Sequence, residues 1–298
     1  MRALGCALLL AMQLTAAEHL TIPLWPHGMP GTKAASEPER NMTTEKDSLV
    51  AGKPVIRLGN VTEPSITLYP APQANANGTA VVVFPGGGYR ILAMDLEGTE
   101  VCEWLNSIGI TAVLVKYRVP EPKDQPRYAA PLQDAERAVS LVRSRAREWH
   151  INPERVGVLG FSAGGHLAAV LASHGTGDRN YEKIDEADTG STRPNFMMLI
   201  YPAYLSVRDE GEELAPEVNV THDSPPVFLV QTEDDHLFVG GSLLYYRALK
   251  RAGVPAEMHL YANGGHGYGL RTSKFSVTHW PALAAEWLAG IERTTQTN

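Results

Sequence analysis

The sequence has little cysteine. Cys6 and Cys102 are the two among 298 residues, so no disulfide framework staples this chain. Cys6 falls in a leader segment expected to be removed. Cys102 is then alone on an apolar helical face, where a thiol behaves as a small buried hydrophobe. Basic charge is also short. The 26 Lys and Arg stand against 33 Asp and Glu, for a net charge of -7. That balance argues against nucleic acid or an anionic membrane surface as partner. No apolar run reaches the roughly 20 residues that span a bilayer. No metal site is expected either. His236 beside Asp234 and Asp235 is one histidine in one turn, and His222-Asp223 is no stronger. No cofactor is expected. The glycine loop Gly86-Gly87-Gly88 lacks a Walker lysine and a G-x-G-x-x-G context. Internal repeats and low-complexity linkers are missing as well.

What is present is apolar content of 44%, enough for one large core, so one domain is expected rather than two. Arg2, the apolar stretch Ala3 to Leu14 and the small residues Thr15-Ala16-Ala17 read as a signal peptide over 1–17. Cleavage near Ala17 leaves residues 18–298 as an exported chain, periplasmic or extracellular, with no membrane contact.

Residues 18–65 are expected to wrap the surface without adding a core of their own. Ser65-Ile66-Thr67-Leu68-Tyr69 alternates like an outer antiparallel strand. Ala80-Val81-Val82-Val83-Phe84 is continuously apolar, as a central parallel strand is. Further strands are predicted at 110–117, 155–159, 195–201, 226–230 and 256–261. Helices are predicted at 97–108, 132–149, 165–172, 241–251 and 275–291. Strands alternating with helices give an α/β fold, a mostly parallel sheet with helices on both faces. The insertions 175–194 and 203–224 are short, which predicts loops and no large cap domain.

One motif organises the rest. Gly160-Phe161-Ser162-Ala163-Gly164 lies where a buried strand meets an apolar helix. A serine between glycines at such a switch is the nucleophile elbow. The turn is tight, so side chains two residues either side would clash, and Ser162 projects alone beside a helix N-terminus. A serine hydroxyl needs a base, and the base needs a carboxylate to hold its tautomer. In this arrangement the histidine follows the last strand. That selects His266, in Gly264-Gly265-His266-Gly267, over His259 inside the strand and His166 at the helix start. The acid follows the preceding strand, in Glu233-Asp234-Asp235-His236. Asp235 is best placed, then Asp234, then Glu233. An oxyanion hole is expected from the backbone of Gly87, Gly88 and Ala163. Tyr89, Arg90, His236 and Tyr268 are expected to line the mouth and contact substrate.

These residues resemble the α/β-hydrolase superfamily, and more narrowly a group of exported bacterial acetyl xylan esterase-like proteins often mislabelled endo-xylanase B. The matching stretches are Leu24-Trp25-Pro26, Phe84 to Tyr89, Ala112 to Val119 with Lys116-Tyr117-Arg118, Gly160 to Leu167, Asp234-Asp235-His236 and Asn263 to Gly269. The resemblance implies Ser162, Asp235 and His266 as a triad that releases acetate from an acetylated sugar through an acyl-enzyme. It implies a small-molecule or oligosaccharide ester as the partner. A general short-chain carboxylesterase is the alternative, and a serine peptidase is the more distant one. A glycosidase would need two carboxylates flanking one sugar bond, which leaves the elbow serine without a role. One departure stands out. Relatives often carry a proline and an asparagine after the acid turn, whereas this chain reads Leu237-Phe238-Val239-Gly240-Gly241.

Overall fold

The computed structural model describes residues 19–31, 37–174, 179–207 and 212–295. The expected signal peptide and Cys6 lie outside them. In chain order come β1 (Thr21–Pro23), β2 (Arg40–Asn41), β3 (Arg57–Gly59), β4 (Ser65–Tyr69), β5 (Ala80–Phe84) and β6 (Ile91–Ala93). Then follow α1 (Glu100–Ser107), β7 (Thr111–Lys116), α2 (Ala129–Ser144), β8 (Val156–Phe161), α3 (Ala163–His174) and β9 (Met197–Ile200). The chain continues with β10 (Val227–Thr232), α4 (Val239–Arg251), β11 (Ala256–Tyr261) and α5 (Trp280–Thr295).

Eight strands form the main sheet in the order β1-β4-β7-β5-β8-β9-β10-β11. From β7 to β11 every pairing is parallel, while β4 and β1 are antiparallel additions at one side. Burial on both faces explains the unbroken apolar runs. All five side chains of β5 are fully buried. Successive residues of each strand point to opposite faces. Val81 and Val83 meet α1 and α5, including Cys102, Trp280 and Leu288. Ala80, Val82 and Phe84 meet α2 and α3, including Val139, Val142, Leu167 and Val170. Each such apolar side chain removed from water contributes about 1.5–3 kcal/mol. Cys102 is fully buried and, among the described residues, has no disulfide partner.

Several expectations are corrected. The segment before residue 65 does more than wrap the surface: Leu24, Trp25 and Val61 join the shared core, and Val55 packs with Ala93 and Leu96. Its strand β1 caps the sheet edge, so β4 is not outermost. Its strands β2 and β3 join β6 in a second, three-stranded sheet. The helix predicted at 97–108 opens as a π-helical turn, Asp95–Thr99, before α1. The helix predicted at 132–149 starts three residues earlier. Pro131 is tolerated there because first-turn N–H groups lack intrahelical acceptors. It stops at Ser144, and Trp149 returns to the core from a turn in which Trp149 N–H donates to the Arg145 carbonyl. Among the described residues, 179–196 contains only a 3-10 turn, Glu186–Thr189, and 202–226 only an isolated bridge, Ser206 to Leu214. Neither builds a cap.

Candidate active site

The loops at the carboxyl ends of β5, β8, β9, β10 and β11 converge, as they do in open α/β sheets. Ser162 sits between β8 and α3 with φ of +51°, a strained conformation for a non-glycine residue. Both flanking glycines are required. A Cβ on Gly160 would strike the backbone of Gly164, and one on Gly164 would strike the Phe84 carbonyl. Ser162 N–H donates to the Ile200 carbonyl at 3.1 Å, and the Ser162 carbonyl accepts from His166 and Ala203 N–H at 3.1 and 3.0 Å. The hydroxyl is held on a fixed base, 9% of the residue exposed.

His266 comes to this serine from the loop after β11. Its Nε2 lies 2.7 Å from Ser162 Oγ, and its Nδ1 lies 2.8 Å from Asp235 Oδ2. The Asp235 side chain is 4% exposed and the His266 side chain 31%. A buried carboxylate on Nδ1 fixes the tautomer with a bare Nε2 toward the hydroxyl. Asp234 does something else. Its two oxygens accept from Gly265 N–H at 2.8 Å and Gly264 N–H at 3.1 Å, which clamps the histidine loop. Burial pushes the Asp234 carboxyl up, but the bonds from Gly265, Gly264 and Thr232 outweigh it and hold it below the usual carboxylate range. The adjacent Thr232 hydroxyl donates to the Gly265 carbonyl at 2.7 Å. Glu233 is exposed.

The glycine loop lies across from the histidine. Gly87 and Gly88 take φ of +134° and +63°. A Cβ on Gly87 would strike the Ile91 carbonyl. Gly86 N–H is occupied by Glu97 at 2.7 Å. No backbone carbonyl among the described residues accepts from Gly87 or Gly88 N–H. Ala163 opens α3, so its N–H has no intrahelical acceptor. The Tyr117 hydroxyl donates to the Pro85 carbonyl and braces the start of the loop.

Two of the four residues expected at the mouth are elsewhere. Tyr89 is fully buried, with φ of +59° and its hydroxyl 2.8 Å from His166 Nδ1. Its ring is a scaffold piece because its polar tip finds a partner inside the fold. Tyr268 is also buried, edge-on to Tyr201 at 4.4 Å. Burial, then the nearby Asp235, pushes its hydroxyl well above the usual range. Arg90 and His236 are exposed. His166 packs inside, with its Nε2 3.3 Å from Glu217 Oε1. Burial lowers its proton affinity.

Sequence reasoning missed four residues. Phe238 lies 5.1 Å from the His266 ring, and Tyr204 lies 5.5 Å from Phe238 with Arg127 over its face at 4.4 Å. Tyr201 meets His266 edge-on at 4.9 Å. Glu97 lies behind them. Tyr201 directly follows the end of β9, and Phe238 lies in the loop between β10 and α4, positions at which sequence could have marked them. Glu97 carried none, since an acid early in a helix is ordinary.

This sheet and this set of atoms define an α/β-hydrolase, and the chain belongs to that family. A family model described as alpha/beta hydrolase fold matches residues 81–223. The crystal structure of an acetyl ester-xyloside bifunctional hydrolase from Caldicellulosiruptor lactoaceticus is similar at a TM-score of 0.71 and 34% identity. The match covers 91% of this chain and 96% of that one. An acetylxylan esterase from Xylanibacter ruminicola is 32% identical over 221 residues, 66% of this chain and 42% of that protein. An endo-1,4-beta-xylanase B from Butyrivibrio fibrisolvens is 29% identical over 215 residues, 65% of this chain and 33% of that protein. This chain spans less than half the length of those two curated relatives.

Proposed function

We propose that this chain is a carboxylic ester hydrolase that removes acetyl groups from carbohydrate, such as acetylated xylan or xylo-oligosaccharides. The observation that carries the reading is the row of atoms Ser162 Oγ, His266 Nε2, His266 Nδ1 and Asp235 Oδ2, with 2.7 and 2.8 Å contacts. Ser162 Oγ attacks the ester carbonyl carbon, and His266 takes its proton. The carbonyl oxygen becomes an oxyanion between the N–H groups of Ala163 and of Gly87 or Gly88. The C–O bond to the sugar then breaks, and His266 returns the proton to the departing alcohol. Water attacks the acetyl-serine with His266 again as base. Acetate leaves, and Ser162 regains its proton.

The names of the similar proteins support the acetyl and sugar parts. The export of residues 18–298 after cleavage near Ala17 belongs to the same proposal. Among the described residues, no helix is long and apolar enough to cross a membrane. A second reading, a general short-chain carboxylesterase, is favoured by the apolar rim. Leu237 is 57% exposed beside Phe238.

The test is Ser162→Ala. Folded Ser162→Ala should lose turnover of an aryl acetate; retained turnover sinks the serine mechanism. Acetate released from acetylated xylan by the unmodified protein supports the carbohydrate substrate. Activity confined to the aryl ester selects the second reading.

A further inference from the structure

Glu97 is a buried carboxylate that the reaction above does not use. It sits in the π-helical turn Asp95–Thr99 with 3% of the residue exposed. A buried carboxylate needs strong donors to stay folded in. Among the described residues it has two, and both come from loops that build the site. Gly86 N–H, at the head of the glycine loop, donates to Oε2 at 2.7 Å. The Tyr201 hydroxyl donates to Oε1 at 2.8 Å. That same hydroxyl accepts from Gly269 N–H at 3.0 Å, on the histidine loop. Tyr201 holds φ of +39°, a left-handed conformation costly for an aromatic residue. The strained backbone puts its ring against His266 and its hydroxyl on Glu97.

We infer that Glu97 is a positioning residue of the hydrolytic site, joining the oxyanion loop to the histidine loop through Tyr201 and setting a second negative charge behind the His266 imidazolium. The inference rests on the serine-esterase reading. Its geometric half is the pair of bonds to Gly86 and Tyr201. Its electrostatic half follows from where charge develops. His266 becomes positive as it takes the Ser162 proton, and a fixed carboxylate nearby stabilises that state. Several groups face His266: Asp235 at Nδ1, Asp234 under its loop, Tyr201 and Phe238 against the ring, and Tyr268 behind Tyr201. On Glu97 itself, burial pushes the carboxyl up. The Tyr201 bond, the attraction of His266 and the Gly86 bond pull against that push, and Asp95 adds to it.

The test measures kcat and KM for an aryl acetate from about pH 5 to 9. It compares the unmodified chain with Glu97→Gln, Tyr201→Phe and Ser162→Ala, each checked for folding by thermal melt. Glu97→Gln keeps the shape and removes the charge. Its kcat should fall about tenfold with KM changed less than about twofold. Its acid limb should move down by about half a pH unit or more, because the histidine loses a stabilising charge. Tyr201→Phe should lower kcat by a similar factor. A kcat within about twofold of the unmodified chain in Glu97→Gln, or a loss without a shift of the acid limb, overturns the inference. If Glu97→Gln does not fold, Tyr201→Phe decides alone, and an unchanged kcat there overturns it. Ser162→Ala separates the two levels. Turnover retained in Ser162→Ala removes the serine reading itself. An inert Ser162→Ala with an ordinary Glu97→Gln removes only the role of Glu97.

Discussion

Trp25 and Arg118 grip the same buried carboxylate, that of Asp134. Trp25 Nε1 donates to it at 2.6 Å, Arg118 Nε at 3.0 Å and Arg118 backbone N–H at 2.8 Å. Arg118 also donates to the Pro30 carbonyl at 3.0 Å, so the segment from Trp25 to Pro30 is fastened to α2 and to the chain just after β7. Burial pushes the Asp134 carboxyl up, and Arg118 opposes it. Removing one partner of a buried pair leaves the other charge uncompensated, so Asp134→Ala should lose about 3–5 kcal/mol. Urea unfolding checks this. A loss below about 1 kcal/mol would mean that the pair is solvated in solution.

The two neighbouring aspartates should separate by function. Asp235→Asn should lower kcat by about a thousandfold or more, because the histidine loses its tautomer partner. Asp234→Asn should lower it by less than about tenfold, because its oxygens hold only the loop. Steady-state kinetics on an aryl acetate checks both, and the reverse order would exchange their roles.

Asp234 also predicts a pH dependence of stability. Its folded carboxyl is held below its ordinary value. As pH falls, the unfolded chain therefore binds the proton first, and stability drops. The contribution is whole above the ordinary aspartate range of about 4 and vanishes as pH passes below the folded value. Urea midpoints measured downward from about pH 6 should fall less steeply in Asp234→Asn than in the unmodified chain. Parallel curves would show that the clamp on Gly264 and Gly265 is not formed.

Gly160→Ala tests the elbow itself. The added methyl meets the backbone of Gly164 and Gly165, not a side chain that could turn away. The variant should lose about 2–3 kcal/mol or more, read as a lowered thermal midpoint together with lost turnover.

The sheet was legible because strands buried on both faces carry unmistakable runs, such as Ala80 to Phe84 and Val156 to Phe161. The elbow and the positions of His266 and Asp235 followed from chain order, since each lies in the turn or loop that follows a strand. The segment 18–65 was not legible. Its core residues Leu24, Trp25, Val55 and Val61 fall in short, widely spaced apolar pieces that show no sustained period of 2 or 3.6. Tyr89 was misplaced at the mouth because sequence shows proximity to the glycine loop and not side-chain direction. Its φ of +59° turns the ring inward. Glu97 was invisible because its partners, Gly86 and Tyr201, meet it only in three dimensions.

The fastening of Ser162 has a mechanical consequence. Its N–H is held by Ile200, and its carbonyl by His166 and Ala203. The backbone on both sides of the side chain is therefore anchored to β9, α3 and the segment after β9. The freedom left to Oγ is rotation about the single Cα–Cβ bond, whose staggered positions are few. An acyl group carried on that oxygen travels on an arc of fixed radius, so any reach toward a larger ester has to come from the walls around the arc.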